Sequence, residues 1–212
     1  MSKLRFNISM SLDGYTAGPQ QSTKHPLGMG GERLHQWVVP LAAWRSPHGL
    51  SGGKVNQSTP VLEESLANIG ATIMGRNMFG GHPGPWSSAE PWNGWWGDEP
   101  PFHHPVFVLT HHPRPPLALK GTTFTFVTEG ITAALDLARH AAGGRDVSLA
   151  GGAAAARQYL SAGLVDEMEI HLVPTLLGAG ERPFEGLDDL KGLRPVRTVA
   201  APDVTHLKFS RA

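Results

Sequence analysis

The chain has 212 residues, with 18 Lys and Arg against 18 Asp and Glu, enough for one sizeable core and, on length, one domain over 1–212. A formal net charge of zero implies no broad basic surface, which argues against non-specific nucleic-acid binding. The absence of cysteine excludes disulfides, zinc–thiolate sites and cysteine nucleophiles.

Residues 3–10 alternate, with Leu4, Phe6, Ile8 and Met10 on one side, the period of a strand. This start lacks a signal peptide's apolar run, and no segment is long enough to span a bilayer. Cytoplasmic residence is therefore expected. Asp13-Gly14 makes a turn, and residues 16–31, rich in Gly and Pro, form a loop. From Glu32 the spacing of Leu34, Trp37, Val38 and Leu41 predicts a helix. Residues 45–58 are small and polar and form a connection. A second helix starts with Thr59 as N-cap and Pro60 at the first helical position, and Gly70 stops it. Residues 71–74 form a short buried strand, and Gly75-Arg76 turns into a short helix. Residues 80–104 form a long loop with five prolines and four tryptophans; a loop of that length is uncommon in a compact domain and often functional.

Strands follow at 106–109 and 123–127, then a helix over 131–140, closed by Arg139, His140 and Gly143-Gly144. Residues 146–150 form a strand, and Gly151-Gly152 leads into an Ala-rich helix that ends at Gly163. A strand over 165–173 and a hairpin over 196–200 and 203–210 complete the chain. Strands alternating with helices predict a three-layer α/β/α fold, a mixed and mostly parallel sheet with an antiparallel C-terminal edge.

Gly151-Gly152 delivers a buried strand to a helix N-terminus. Glycines let a phosphate approach without a Cβ clash, and the helix's unpaired N–H groups bind the anion. A dinucleotide pyrophosphate is held in this way. A tight strand-to-helix turn without a ligand fits the local pattern too, since the motif is not G-x-G-x-x-G. Gly75-Arg76-Asn77 also follows a buried strand, and Arg76 could offer a forked cation to a phosphate or simply lie on the surface. Thr110-His111 and Thr128 follow two further strands. Ligands in open α/β sheets sit at such carboxyl ends. The pairs His103-His104 and His111-His112 lack a carboxylate at helical or hairpin spacing, so no metal site is predicted.

Hydride transfer asks the protein to hold cofactor and substrate and to supply a proton. Asp13 and Glu32 are the candidate acids. An Asp-Gly turn and a charge at a helix start are the alternatives. Trp92 and Trp95 could stack on a flat heterocycle or form a satellite cluster; Trp37 lies on the apolar face of its helix.

Taken together, Ser11-Leu12-Asp13-Gly14, residues 28–37, residues 74–79, residues 106–111, Ser148 to Gly152 and the stretch from His171 to Gly180 carry a resemblance. The chain resembles the dihydrofolate-reductase-like proteins that share the RibD C-terminal domain, the reductase domain of riboflavin biosynthesis. The resemblance implies a central eight-stranded mixed sheet, NADPH as hydride donor and a homodimer. It implies Gly151, Gly152 and Ala153 on the pyrophosphate. Gly75, Arg76 and Asn77, with Thr110 and His111, fall at the adenosine 2′-phosphate end, and Thr128 near the adenine ribose. The family often carries threonine where this chain has Met78. Met10, Ser11 and Asp13 would border nicotinamide and substrate, with Trp37, Trp92 and Trp95 as further pocket candidates. The implied activity is NADPH-dependent reduction of a C=N or C=O bond in a heterocycle, as in 5-amino-6-(5-phosphoribosylamino)uracil reductase. A phosphoribosyl substrate needs a phosphate subsite, for which Arg33 and Arg45 are the candidates. Dihydrofolate reductase-type activity, with Glu32 as an approximate match for the substrate-binding carboxylate, is the alternative. A nucleotide binder or structural homo-oligomer without turnover is another.

Overall fold

In a computed structural model that describes residues 2–81, 83–89 and 91–211, the apolar and β-branched runs pair into one nine-stranded sheet. The strands are β1 (Leu4–Ser11), β2 (Ile69–Gly75), β3 (Val106–Leu109), β4 (Leu117–Leu119), β5 (Thr122–Val127), β6 (Asp146–Gly151), β7 (Glu167–Val173), β8 (Leu193–Ala201) and β9 (Val204–Arg211). Their order is β4-β5-β3-β2-β6-β1-β7-β9-β8. Every pairing from β5 across to β7 is parallel. β4 is antiparallel at one edge, and β9 and β8 are antiparallel at the other. The expected mixed sheet with its antiparallel C-terminal edge is present. It has nine strands rather than eight because three residues, Leu117–Leu119, extend it beyond β5. A run that short carries no readable period.

The helices are α1 (Ala42–Arg45), α2 (Ser58–Leu66), α3 (Arg76–Phe79), α4 (Ile131–Ala142) and α5 (Ala153–Ser161). The helix expected from Glu32 is instead a 3-10 segment, Gly31–His35, followed by turns and then α1. Pro40 lacks an N–H and disfavours α geometry in the residue before it, so a continuous helix cannot pass through. Leu34, Trp37, Val38 and Leu41 are nevertheless all buried. Their spacing reported burial correctly and the backbone type wrongly.

α4 and α5 cover one face of the sheet. Leu135, Ala138, Tyr159 and Leu160 pack there against Phe6, Ile73 and Leu149. The Tyr159 hydroxyl donates to the Ile131 carbonyl at 2.8 Å and ties the two helices. Burying side chains of this size is worth roughly 1.5–3 kcal/mol each. α2 and the 3-10 segment cover the other face over β1, β7 and β9, where Leu34, Trp37, Leu41 and Leu62 meet Val173 and Val204. Arg5 is buried there because its guanidinium satisfies the last carbonyls of α2, at Glu64 (2.6 Å) and Ala67 (2.8 Å). The tryptophan-rich loop covers the rest of that face. Phe79, Phe124 and Phe126 pack there with Trp86 and Trp96. Among the described residues, no helix is long and apolar enough to cross a membrane.

Candidate functional site

Parallel strands present their carboxyl ends on one side of a sheet. Here β5, β3, β2 and β6 are consecutive neighbours, and they end at Val127, Leu109, Gly75 and Gly151. Beyond these ends lies a cleft of about 640 Å³, within the range of small-molecule and cofactor sites. Its wall includes Gly75, Arg76, Asn77, Thr110, His111, Thr128, Gly152 and Ala153. Four segments far apart in the chain thus meet at one groove.

At the end of β6, Gly151 has φ +114°, which side-chain-bearing residues rarely adopt. The Gly151–Gly152 peptide is cis. Gly151 makes the turn without standing on the cleft wall. Gly152 opens α5 with no side-chain cap. The N–H groups of a helix's first turn have no intrahelical partner, and in α5 this turn, Ala153 to Ala155, lines the cleft. A Cβ built on Gly152 meets nothing within 4 Å. The site therefore offers bare backbone donors, the positive end of a nine-residue helix and open space in front of them. A pyrophosphate fits those requirements.

The Arg76 guanidinium lies 3.6 Å over the Trp86 ring. Burial, and then the neighbouring Arg114 cation, push its pKa below the ordinary value. The Trp86 indole N–H donates to the His112 carbonyl at 2.8 Å, which sets the platform under Arg76. Thr110 is held at its strand end by its N–H on the Val127 carbonyl (3.0 Å), and its hydroxyl accepts from the His112 N–H at 3.1 Å.

The other end of the cleft is built by β1 and two crossing loops. Ile8 contributes from β1, with Thr16, Leu27, His35 and Glu181. Glu181 and Ala17 form an antiparallel bridge. Gly180 beside it has φ +133°, and a Cβ there would stand 1.9 Å from the Ala17 carbonyl oxygen. Only glycine allows the two loops to approach so closely. His35 is half-buried. Burial lowers its pKa, against the Gly31 carbonyl, which favours the protonated ring. The sequence pattern missed His35 and Glu181. An α-helix from Glu32 would have put His35 on the polar side, and no periodicity marks Glu181.

Several expected site residues lie elsewhere. Asp13 accepts N–H hydrogen bonds from Leu177 (3.1 Å) and Gly178 (2.7 Å) and does not line the cleft. The nearby Ser11 hydroxyl, and then the Gly178 and Leu177 N–H groups, hold its carboxyl down at about 2 against some desolvation. Ionised near neutrality, it has no proton to donate; it anchors the 177–178 turn. Glu32 is exposed on the 3-10 segment, outside the lining. Trp37 is core: it is buried, and its indole N–H donates to the Ser9 hydroxyl at 3.1 Å. Ser11 is fully buried and pairs with Tyr15, while Met10 packs on the main core. Trp92 donates to the Phe79 carbonyl and meets Trp95 edge-on at 4.5 Å. Of these two tryptophans only Trp95 reaches the cleft, accompanied by Trp96. The loop thus packs mainly as a satellite core whose inner rim serves the groove. Asp13→Ala strips two backbone N–H groups of their acceptor and is expected to lower Tm by a few degrees. Thermal unfolding checks this, and an unchanged Tm would retire the anchoring role.

The RibD C-terminal domain model matches residues 2–207. No curated protein matches the chain by sequence. Among solved structures, a protein assigned to riboflavin biosynthesis from Shewanella sp. PV-4 is 21 % identical, with a TM-score of 0.64 over 100 % of this chain and 99 % of that one. The Thermotoga maritima diaminohydroxyphosphoribosylaminopyrimidine deaminase/5-amino-6-(5-phosphoribosylamino)uracil reductase is 11 % identical, with a TM-score of 0.55. That match covers 100 % of this chain and 57 % of that one. Dihydrofolate reductase from Enterococcus faecalis, solved with NADP(H) and RAB-propyl, is 12 % identical, with a TM-score of 0.51 over 99 % and 96 % of the two chains. These likenesses establish a shared fold.

Proposed function

The chain belongs to the RibD C-terminal domain family, and from that premise we propose that it is an NADPH-dependent reductase of a small heterocyclic substrate. The observation that carries this reading is the uncapped first turn of α5, opening through Gly152 onto a cleft walled by four neighbouring strand ends. In this reading Gly152 and Ala153, with the first-turn N–H groups of α5, hold the pyrophosphate. Arg76 and Asn77, with Thr110 and His111, bind the 2′-phosphate end, and Thr128 lies by the adenine ribose. Bound NADPH would supply hydride to a C=N or C=O carbon. The protein's own contribution is to fix the two reactants in one orientation and to exclude water. Ile8, Leu27, Trp95 and Trp96 give the cleft the apolar walls for this. The family and the activity of the Thermotoga relative support a riboflavin-pathway type of reduction. The dihydrofolate-type alternative has less support, because Glu32 stands outside the cleft.

Titration of intrinsic tryptophan fluorescence tests the cofactor, since Trp95 and Trp96 line the groove. Saturable quenching by NADPH is expected; no response at millimolar NADPH and NADH would sink the reading. Arg76→Ala is expected to weaken NADPH by roughly tenfold, the loss of one charge-assisted contact, and NADH much less. Equal losses for the two would remove Arg76 from the 2′-phosphate.

A further inference from the structure

The two ends of the cleft differ in charge. Among the described residues Arg76 is the single Arg or Lys on the lining, and it stands at the end of β2 over Trp86. Three arginines, Arg33, Arg45 and Arg182, are committed elsewhere, and Lys24, on the loop between Gln21 and Pro26, is exposed and outside the lining. Arg33 donates to the Gly30 (3.2 Å) and Leu176 (3.1 Å) carbonyls. Arg45 donates twice to the Ser51 carbonyl, at 3.1 and 3.0 Å. Arg182 lies 4.1 Å over the Tyr15 ring and donates to its hydroxyl at 2.8 Å. None of the three arginines lines the cleft. Neither Arg33 nor Arg45 is thus available as the phosphate subsite that a phosphoribosyl substrate needs.

What does line this end is apolar or accepting: Ile8, Leu27, Thr16, His35 and Glu181. A phosphate brought here would lose hydration without gaining a cation from the lining, which includes Glu181; an unpaired buried charge is costly. His35 supplies the one ring. Its Nδ1 is sealed inside the protein, so the nitrogen that can serve the cleft is Nε2. The Gly31 carbonyl favours a proton on the ring; with that proton on the sealed Nδ1, Nε2 presents a lone pair.

We infer that this end of the cleft takes a planar heterocycle without a phosphate, and that His35 Nε2 accepts a hydrogen bond from its N–H. The inference rests on the reductase reading for the reaction, and on the cleft itself for the substrate class. His35 is here a specificity-determining residue rather than a proton donor.

The test compares 5-amino-6-(5-phosphoribosylamino)uracil with the same compound after removal of its phosphate. Each is titrated calorimetrically into the protein, with and without saturating NADPH. The dephosphorylated compound is expected to bind at least tenfold more tightly. His35→Leu should cost it roughly tenfold in affinity, the scale of one lost hydrogen bond at a desolvated site. His35→Gln, which keeps an acceptor, should restore most of that loss, and NADPH affinity should be the same in both variants. Equal or tighter binding of the phosphorylated compound overturns the inference. So does binding of neither compound, or an unaffected His35→Leu variant. A protein that binds no NADPH yet still prefers the dephosphorylated compound overturns the reductase reading and upholds this one.

Discussion

Gly152→Val is expected to lower NADPH affinity by at least about 100-fold, or about 2.7 kcal/mol, while leaving the fold intact. Gly152 has φ −72° and ψ −168°, extended geometry that any residue adopts. Its Cβ direction is empty of protein within 4 Å. Valine's two methyl groups would therefore enter the groove in front of the α5 N-terminus, the volume proposed for the pyrophosphate, at little cost to the folded state. Gly151→Val is the contrast. There φ is +114°, so a β-branched residue strains the turn, and stability and binding should fall together. Fluorescence titration with a parallel thermal melt separates the two. Wild-type NADPH affinity in a folded Gly152→Val protein would remove the pyrophosphate from this turn.

Lowering the pH from 7 to 5 is expected to cost about 3–4 kcal/mol of stability through two buried histidines. His171 and His206 lie on adjacent strands β7 and β9, with their Nδ1 atoms 2.8 Å apart. His206 Nε2 reaches the Ser58 hydroxyl at 2.9 Å, and Trp37 packs against both rings. One Nδ1 must donate and the other accept, so the arrangement requires at least one neutral ring. Burial, then its neighbour His206 and then His35, push His171 down to about 3. Burial and then Arg197 push His206 down to about 4. In the unfolded chain both titrate near 6.5. Between about pH 6.5 and pH 4 the unfolded state thus binds more protons than the folded one. The stabilisation is complete above about pH 6.5 and is lost as pH falls through that window. His104, hydrogen-bonded to the Thr72 hydroxyl and lowered to about 4 by burial and then by Arg145 and His103, adds in the same direction. Urea unfolding at pH 7 and pH 5 measures the loss. His171→Asn should flatten the pH dependence, and equal stability of the wild type at the two pH values would refute the account.

Much of the groove along β5, β3, β2 and β6 was legible because its marks are local. A buried strand followed by Gly151-Gly152 and an alanine-rich helix says what backbone stands there, whatever the rest of the chain does. Thr110, Thr128 and Arg76 were found in the same way, as small, hydroxyl-bearing or basic residues just past a strand. The end of the groove beside β1 offered no such mark. Asp13 looked like an acid in its own tetrapeptide, yet its carboxylate is engaged by N–H groups 164 and 165 residues away. The helix expected from Glu32 had the right buried residues, but Gly30-Gly31 before it and Pro40 within it turned the chain, and His35 came to face the groove.

The sequence by itself therefore determined the alternating strands and helices, the mostly parallel sheet with its antiparallel end, and the residues at each strand's exit. Period, capping and glycine placement are properties of neighbours along the chain, and they can be read from it. The tertiary structure alone decided the strand order β5-β3-β2-β6 that sets four exits side by side, the extra edge strand β4, and the bridge between Ala17 and Glu181. It also decided which polar groups are free for a ligand and which are spent holding a turn. Those outcomes follow from pairing and packing between segments up to about 165 residues apart. Such contacts leave no periodic trace in either partner, because each is satisfied only when the other has arrived.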